Sequence, residues 1–228
     1  MDIAEKAALK DRIIEARGYW ARFHDVLLER APRFLEAYLG FQSGPTDSGV
    51  LPRKLCEFVY IAIDLSVNHM YERGARRHME HALKAGATPE EVLQVILLTT
   101  VIAARQPIDL GLKVLAEEVP GFPPERGTAS LMNDVDPALG ATYRAYAAAA
   151  ESGPLSAKER ELVSLAVCAA PTALFEDGIR DHVRGALAQG ATPREIHAVL
   201  QLSAALSIHT CTIGIPGFQD VLDGKFVE

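Results

Sequence analysis

The sequence is poor in cysteine: Cys56, Cys168 and Cys211 stand far apart in 228 residues, with no CxxC and no zinc-ligand spacing. An odd number of distant thiols argues against a disulfide framework, and the missing spacing against a structural metal. Positive charge is also short. Lys and Arg number 23 against 30 Asp and Glu, for a net charge of -7 and a pI near 5.5. Binding to a phosphate backbone needs clustered basic residues, so no nucleic-acid partner is expected. Long apolar runs are missing too: "VLQVILLTTVIAA" (92–104) falls short of the roughly 20 residues that a membrane span requires. The opening "MDIAEKAALKDR" mixes charges where a signal peptide would be apolar. The expectation is a cytoplasmic protein without a membrane partner. No segment alternates as a strand would.

What the chain does contain, it contains twice. "YERGARRHMEHALKAGATPEEV" (71–92) returns as "FEDGIRDHVRGALAQGATPREI" (175–196), every position 104 residues later. Laying Lys54–Leu98 over Lys158–Leu202 gives 17 identities in 45 positions without a gap. With a one-residue slip the match continues upstream, placing Pro32 on Pro137 and Tyr38 on Tyr143. The predicted architecture is all-α, with two tandem copies of one helical bundle packed as a pseudo-symmetric unit. The first repeat is placed at 1–118, a Pro- and Gly-rich linker at 119–130, and the second repeat at 131–228.

Helix punctuation is legible in both copies. "GATPEEV" and "GATPREI" each give a Gly suited to a left-handed helix end, then Thr as N-cap, Pro at the first helical position and Glu three after the Thr. Ser156 with Glu159 reads as a third capping box. Phe58, Ile61, Ala62 and Leu65, like Leu162, Leu165, Ala166 and Ala169, recur at the helical period. The helix over 92–104 is apolar nearly all round, which places it in a core or an interface. A homo-oligomer is expected.

The repeated histidines, His78 and His182, fall on the stripe of small and apolar residues and should point inward. The Gly one turn before each, Gly74 and Gly178, is read as opening a volume beside the ring. An inward imidazole beside a vacancy suits proton transfer near neutrality, although a core histidine bonded to a carbonyl has the same pattern. Glu57 and Glu161 each lie 21 residues earlier, where they either reach the histidine across a helical hairpin or pair with a Lys or Arg at a helix start. Arg76 and Arg180 stand four residues after Glu72 and Glu176, which suits either a solvated ion pair or a fork holding a carboxylate. His69 has Ala173 as its counterpart, and His209 has Arg105, so the halves have diverged around the shared histidine. Joining His69, His78 and His81 into a metal site would need a spacing that no known motif has, and no metal or other cofactor is expected.

"RELVSLAV", a histidine and "GALAQGATPREI", with the near copy "HALKAGATPEEV", resemble the carboxymuconolactone decarboxylase family, which also contains the alkylhydroperoxidase D branch. The resemblance implies an all-helical fold that oligomerises, commonly as rings of single-repeat subunits, so that a tandem chain is expected to form a dimer or trimer. In the peroxidase branch a CxxC stands seven and four residues before the histidine. Those places hold Tyr71 and Gly74 here, and Phe175 and Gly178 in the second copy, and without a thiolate disulfide exchange has no nucleophile. The decarboxylase branch implies a small carboxylated lactone from aromatic-ring degradation as substrate. The expected activity is therefore a cofactor-independent acid-base lyase, removing CO2 from or isomerising such a compound. His78 supported by His69 would be the proton donor, with His182 and His209 as the equivalent pair in the second half. Tyr71 would add a hydroxyl and Arg76 would hold the carboxylate. Two other readings are a silent helical binding or scaffold protein, and a thiol peroxidase using Cys168 or Cys211.

Overall fold

Each of the three capping boxes closes as the sequence predicts. Thr88, Ser156 and Thr192 accept from the backbone N–H of Glu91, Glu159 and Glu195, and each glutamate reaches back to the cap. Gly86 and Gly190 take positive φ, 90° and 79°, at the preceding helix ends, a conformation that a Cβ would strain. The computed structural model describes residues 1–120 and 128–225, and among these no strand occurs. Its helices are α1 (Ile3–Arg17), α2 (Arg22–Arg30), α3 (Pro32–Asp47), α4 (Arg53–Asp64), α5 (Glu72–Lys84) and α6 (Pro89–Glu118) in the first half. The second half holds α7 (Thr128–Val135), α8 (Pro137–Glu151), α9 (Ala157–Ala169), α10 (Glu176–Ala188), α11 (Pro193–Ala204), a 3-10 turn (Ala205–Ile208) and α12 (His209–Leu222). Most of the expected linker, 121–127, lies outside the described residues, and its last three positions already belong to α7.

The two central helices, α4 and α9, are counterparts and pack against each other. Phe58, Ile61, Leu162 and Leu165 are wholly buried there, and one continuous core includes residues of both halves. Truncating Phe58 to Ala in such a core costs about 3–5 kcal/mol. At the junction Asn68 donates to the carbonyl of Thr172, its own counterpart 104 residues on. The long helices cross over: α6 lies on α8 and α9, and α11 lies on α3 and α4. Gln94 of α6 fastens the halves, donating to the carbonyls of Ala150 (3.2 Å) and Glu151 (2.9 Å) and accepting from Leu155 N–H (2.8 Å).

The apolar run 92–104 does not end its helix, because α6 accommodates Pro107 and continues to Glu118. By length and composition alone α6 and the stretch Pro193–Leu222, each 30 residues, are long and apolar enough to cross a bilayer. In this fold α6 is a strut whose Arg105 and Lys113 pair with Asp181 and Asp177 of the second half. The outermost elements form a second, smaller core. Leu9, Ile13, Phe23, Leu27 and Leu35 meet Ile208, so the end of the chain closes over its beginning. Arg22 pairs with Asp220 and Arg30 donates to Gln219 (3.0 Å) across the same contact. That closure carries the N-terminal helices and α12 to one side of α5, where the site lies.

Candidate active site

The hairpin of α4 and α5 is closed by Tyr71 N–H donating to the Asp64 carbonyl (2.7 Å), and Phe175 repeats the bond to Cys168 (2.9 Å). This fixed register sets Glu57 opposite His78, with Nδ1 2.7 Å from Oε2, and Glu161 opposite His182 at 2.8 Å. The sequence expectation of a glutamate reaching the shared histidine across the hairpin is realised in both halves.

The surroundings differ. Around Glu57, Arg53 donates to Oε1 (2.7 Å) and His81 Nδ1 stands 3.8 Å away. Tyr60 stacks on the His78 ring at 4.5 Å, and Gln42 holds the Tyr60 hydroxyl. Burial pushes the Glu57 carboxyl up, but the His78 hydrogen bond and Arg53 outweigh it and hold the group below the usual carboxylate range. For His78 burial prevails over the pull of Glu57 and lowers the imidazole. Glu57 therefore carries the charge and the contact requires a proton on Nδ1, which leaves Nε2 as the acceptor.

His78 lines two neighbouring pockets of about 50 and 140 Å³, which also share Arg17, Tyr19 and Arg77. Arg17 ends α1 and its guanidinium lies 5.6 and 5.9 Å from the rings of Tyr19 and Tyr60. Arg77 covers the Tyr19 ring at 3.5 Å. Among the described residues neither guanidinium has an ion pair, so both are free to meet an anion at His78. Arg76 and Arg180 are not brought to the site. They lie exposed on the outer face of their helices, each paired with the glutamate one turn before, Glu72 and Glu176. The guanidiniums that line the pockets with His78 are those of its neighbour Arg77 and of Arg17.

The larger pocket is completed from the far end of the chain. His209, expected to serve His182, sits on the first-half site: its Nδ1 is 2.7 Å from His69 Nε2, and the Tyr71 ring packs on it at 4.3 Å. The exchange is reciprocal, since Arg105 of the first repeat pairs with Asp181 and covers the Phe175 ring at the second-half site. The crossing of the long helices causes both. His69 keeps company with His209 rather than with His78, so His69, His78 and His81 do not form a common cluster. They divide into Glu57–His78–His81 and Asp64–His69–His209.

Gly74, one turn before His78, borders the larger pocket beside the ring, but that pocket is not the space of its missing side chain. A Cβ at Gly74 would stand 2.1 Å from Asp64 Oδ2 and 2.5 Å from the Tyr71 ring, so the space is filled by those two side chains. At Gly178 the fillers are Cys168 and Phe175. Asp64 is almost wholly buried and burial pushes its carboxyl up to about 7, with Arg17 and Arg77 pulling the other way. Burial, then His69, His78 and Arg17, hold His209 down to about 4.

The second half keeps only the Glu161–His182 pair. Ser164 replaces Tyr60, Ala157 replaces Arg53, Gly185 replaces His81, Asp181 replaces Arg77 and Cys168 replaces Asp64. His182 Nε2 is buried without a partner. The thiols are poorly placed for redox work: burial pushes Cys168 up to about 12 and raises Cys56 and Cys211 as well.

Sequence reasoning missed Arg17, Tyr19, Tyr60, Asp64 and Arg77. Asp64 left a signal, a carboxylate inside the apolar run "VYIAIDL", whereas Arg17 and Tyr19 lie outside the duplicated region and left none.

Comparison with known proteins agrees with this architecture. A crystal structure from Burkholderia xenovorans, of a protein provisionally named a gamma-carboxymuconolactone decarboxylase subunit, superposes with a TM-score of 0.86 at 27% identity, covering 97% of this chain and 98% of that one. No curated protein matches. The model of the carboxymuconolactone decarboxylase family matches residues 32–117 and again 137–208. The matched segments leave out α1, α2, the link between these two, and α12, which together supply Arg17, Tyr19 and His209. The chain belongs to the carboxymuconolactone decarboxylase family, as a member that carries the family unit twice.

Proposed function

We propose that this protein is an acid-base lyase, a decarboxylase or isomerase of a small carboxylated lactone or related ring compound from aromatic catabolism, with its working site in the first half. The observation that carries this reading is His78, held by Glu57 through Nδ1 and facing a pocket that it shares with the unpaired guanidiniums of Arg17 and Arg77. A carboxylate docks against the guanidiniums, and Tyr71 and Tyr19 border the ring. Loss of CO2 breaks the C–C bond and leaves its electron pair on carbon as a dienolate, whose charge the arginines offset. His78, neutral at rest, takes a proton from solvent at Nε2 and as the imidazolium gives it to that carbon, so the one proton consumed comes from water; Glu57 stabilises the imidazolium before the transfer and fixes its tautomer throughout. In an isomerisation the same Nε2 takes a proton from one carbon and returns it to another.

Membership of the family and the fold of the Burkholderia protein support the reaction class. The high thiol pKa values and the missing cysteine pair weigh against a peroxidase. Self-association belongs to the same reading: Leu93, Leu97, Leu110 and Val114 leave an exposed apolar strip along α6 that a second copy would cover. The test is CO2 release from a panel of carboxymuconolactones and related carboxylated lactones in D2O. Deuterium delivered to a single face of the product carbon supports proton delivery by the protein, and no turnover on any member of the panel removes the lyase reading.

A further inference from the structure

Asp64, His69 and His209 form a cluster that the acid-base step does not use. Asp64 closes α4, His69 lies in the turn after it, and His209 arrives from the second repeat at the start of α12. One ligand atom from each lies within 4.8 Å of the others. His209 Nε2 stands 3.9 Å from Asp64 Oδ1, and the His69 and His209 rings are nearly parallel, 8° apart. The Asp64 side chain is 3% exposed, Oδ2 is buried with no hydrogen-bond partner, and Oδ1 stands 3.9 Å from His209 Nε2, while Arg17 and Arg77 act on the carboxyl from longer range. A buried carboxylate left in this way needs a cation close by or a proton of its own.

The three residues also come and go together. At the matching places the second half has Cys168, Ala173 and, through the crossed long helices, Arg105, so no member of the set is retained there. The backbone is retained: Met70 and Leu174, each after the position in question, take the same positive φ, 52° and 45°. The turn therefore does not require the histidine.

We infer that Asp64, His69 and His209 bind one late first-row divalent cation, of the zinc or cobalt kind. Two imidazoles and a carboxylate suit Zn²⁺ and its neighbours rather than Mg²⁺ or Ca²⁺, which prefer all-oxygen sets. Ligands at about 2.0–2.1 Å from Zn²⁺ lie roughly 3.3 Å apart in a tetrahedron. The 2.7 Å contact to His69 uses His209 Nδ1 and the 3.9 Å approach to Asp64 uses Nε2, so the His209 ring turns to offer the ion a single nitrogen, and the three ligand atoms, within 4.8 Å of one another, draw in towards that spacing. The half-exposed histidines give an ion access from the larger pocket, whose lining includes His209. Glu57, His78 and His81 are also close enough to one another to hold an ion, but Arg53 already neutralises Glu57.

The test is titration of the metal-stripped full-length protein with Co²⁺, read by its visible absorption, and with Zn²⁺ by competition. The expected result is one ion per chain. His69→Ala and His209→Ala each weaken binding by at least about 100-fold, while His81→Ala and His182→Ala bind as the parent does. Asp64→Asn, which keeps the side-chain shape, guards against loss of fold and also weakens binding. Helical circular dichroism confirms that the variants compared are folded. Absence of a stoichiometric ion, or binding that His81→Ala abolishes and His209→Ala leaves intact, overturns the proposal. The titration uses no substrate, so its outcome is independent of the lyase reading.

Discussion

Glu57 Oε2 lies 2.7 Å from Nδ1 of His78, one helix away and 21 residues earlier in the chain. Replacing this carboxylate by an amide keeps the shape and removes the charge that stabilises an imidazolium. Glu57→Gln should lower the pKa of His78, read by NMR titration of its ring protons, and reduce turnover by about 10²- to 10⁴-fold. An unchanged His78 titration would show that the pair is structural only.

Among the described residues Arg17 and Arg77 reach the site without an ion pair, although both act on the Asp64 carboxyl from longer range. Arg17→Ala and Arg77→Ala should each raise KM for a carboxylated substrate by about 10- to 100-fold, the equivalent of one charged hydrogen bond of about 1.5–3 kcal/mol. Arg76→Ala, on the exposed face, should change KM by less than about twofold. Equal effects of Arg76 and Arg77 would contradict the placement.

The fold and the site were legible to different depths. Capping boxes, helix periods and the 104-residue offset are local or repetitive signals, so the helices, the duplication and the Glu57–His78 pairing follow from one-dimensional spacing. The crossing of α6 and α11 between halves is a packing outcome that no spacing encodes. For that reason His209 was assigned to His182 although it serves the first half. Gly74 was misread for a related cause: its lack of a side chain is complementary to Asp64, ten positions back, and reads as a vacancy only when its own helix is considered.

Gln94 is the polar fastening between the halves, with three backbone partners on residues 150–155 and Ala198 at the matching place in the second copy. Gln94→Leu strands those buried groups. It should cost on the order of 2–4 kcal/mol in urea denaturation without altering the residues around His78. A loss below about 1 kcal/mol would mean that the loop finds other partners.

His24 gives the fold an acid-sensitive point. It is buried against Phe23 (3.9 Å) and Trp20 (4.9 Å), and Nδ1 accepts the Ala21 N–H that opens α2 (3.0 Å). Burial first, then Arg17, hold its pKa down to about 4, with Arg77 adding to the effect and Asp25 opposing it. The unfolded chain, titrating near 6.5, therefore binds the proton more readily. The stabilisation is complete above about pH 6.5, declines as pH falls towards 4, and amounts to roughly 2–3 kcal/mol. His24→Gln should flatten that part of the pH–stability curve, measured as the urea midpoint between pH 7 and 4.

The central claim, one working site built on His78 and completed by the ends of the chain, is tested most directly by turnover of a carboxylated lactone with parent, His78→Ala and His182→Ala side by side. The account predicts that His78→Ala abolishes CO2 release while His182→Ala retains most of it. Loss in His182→Ala with His78→Ala still active would contradict it.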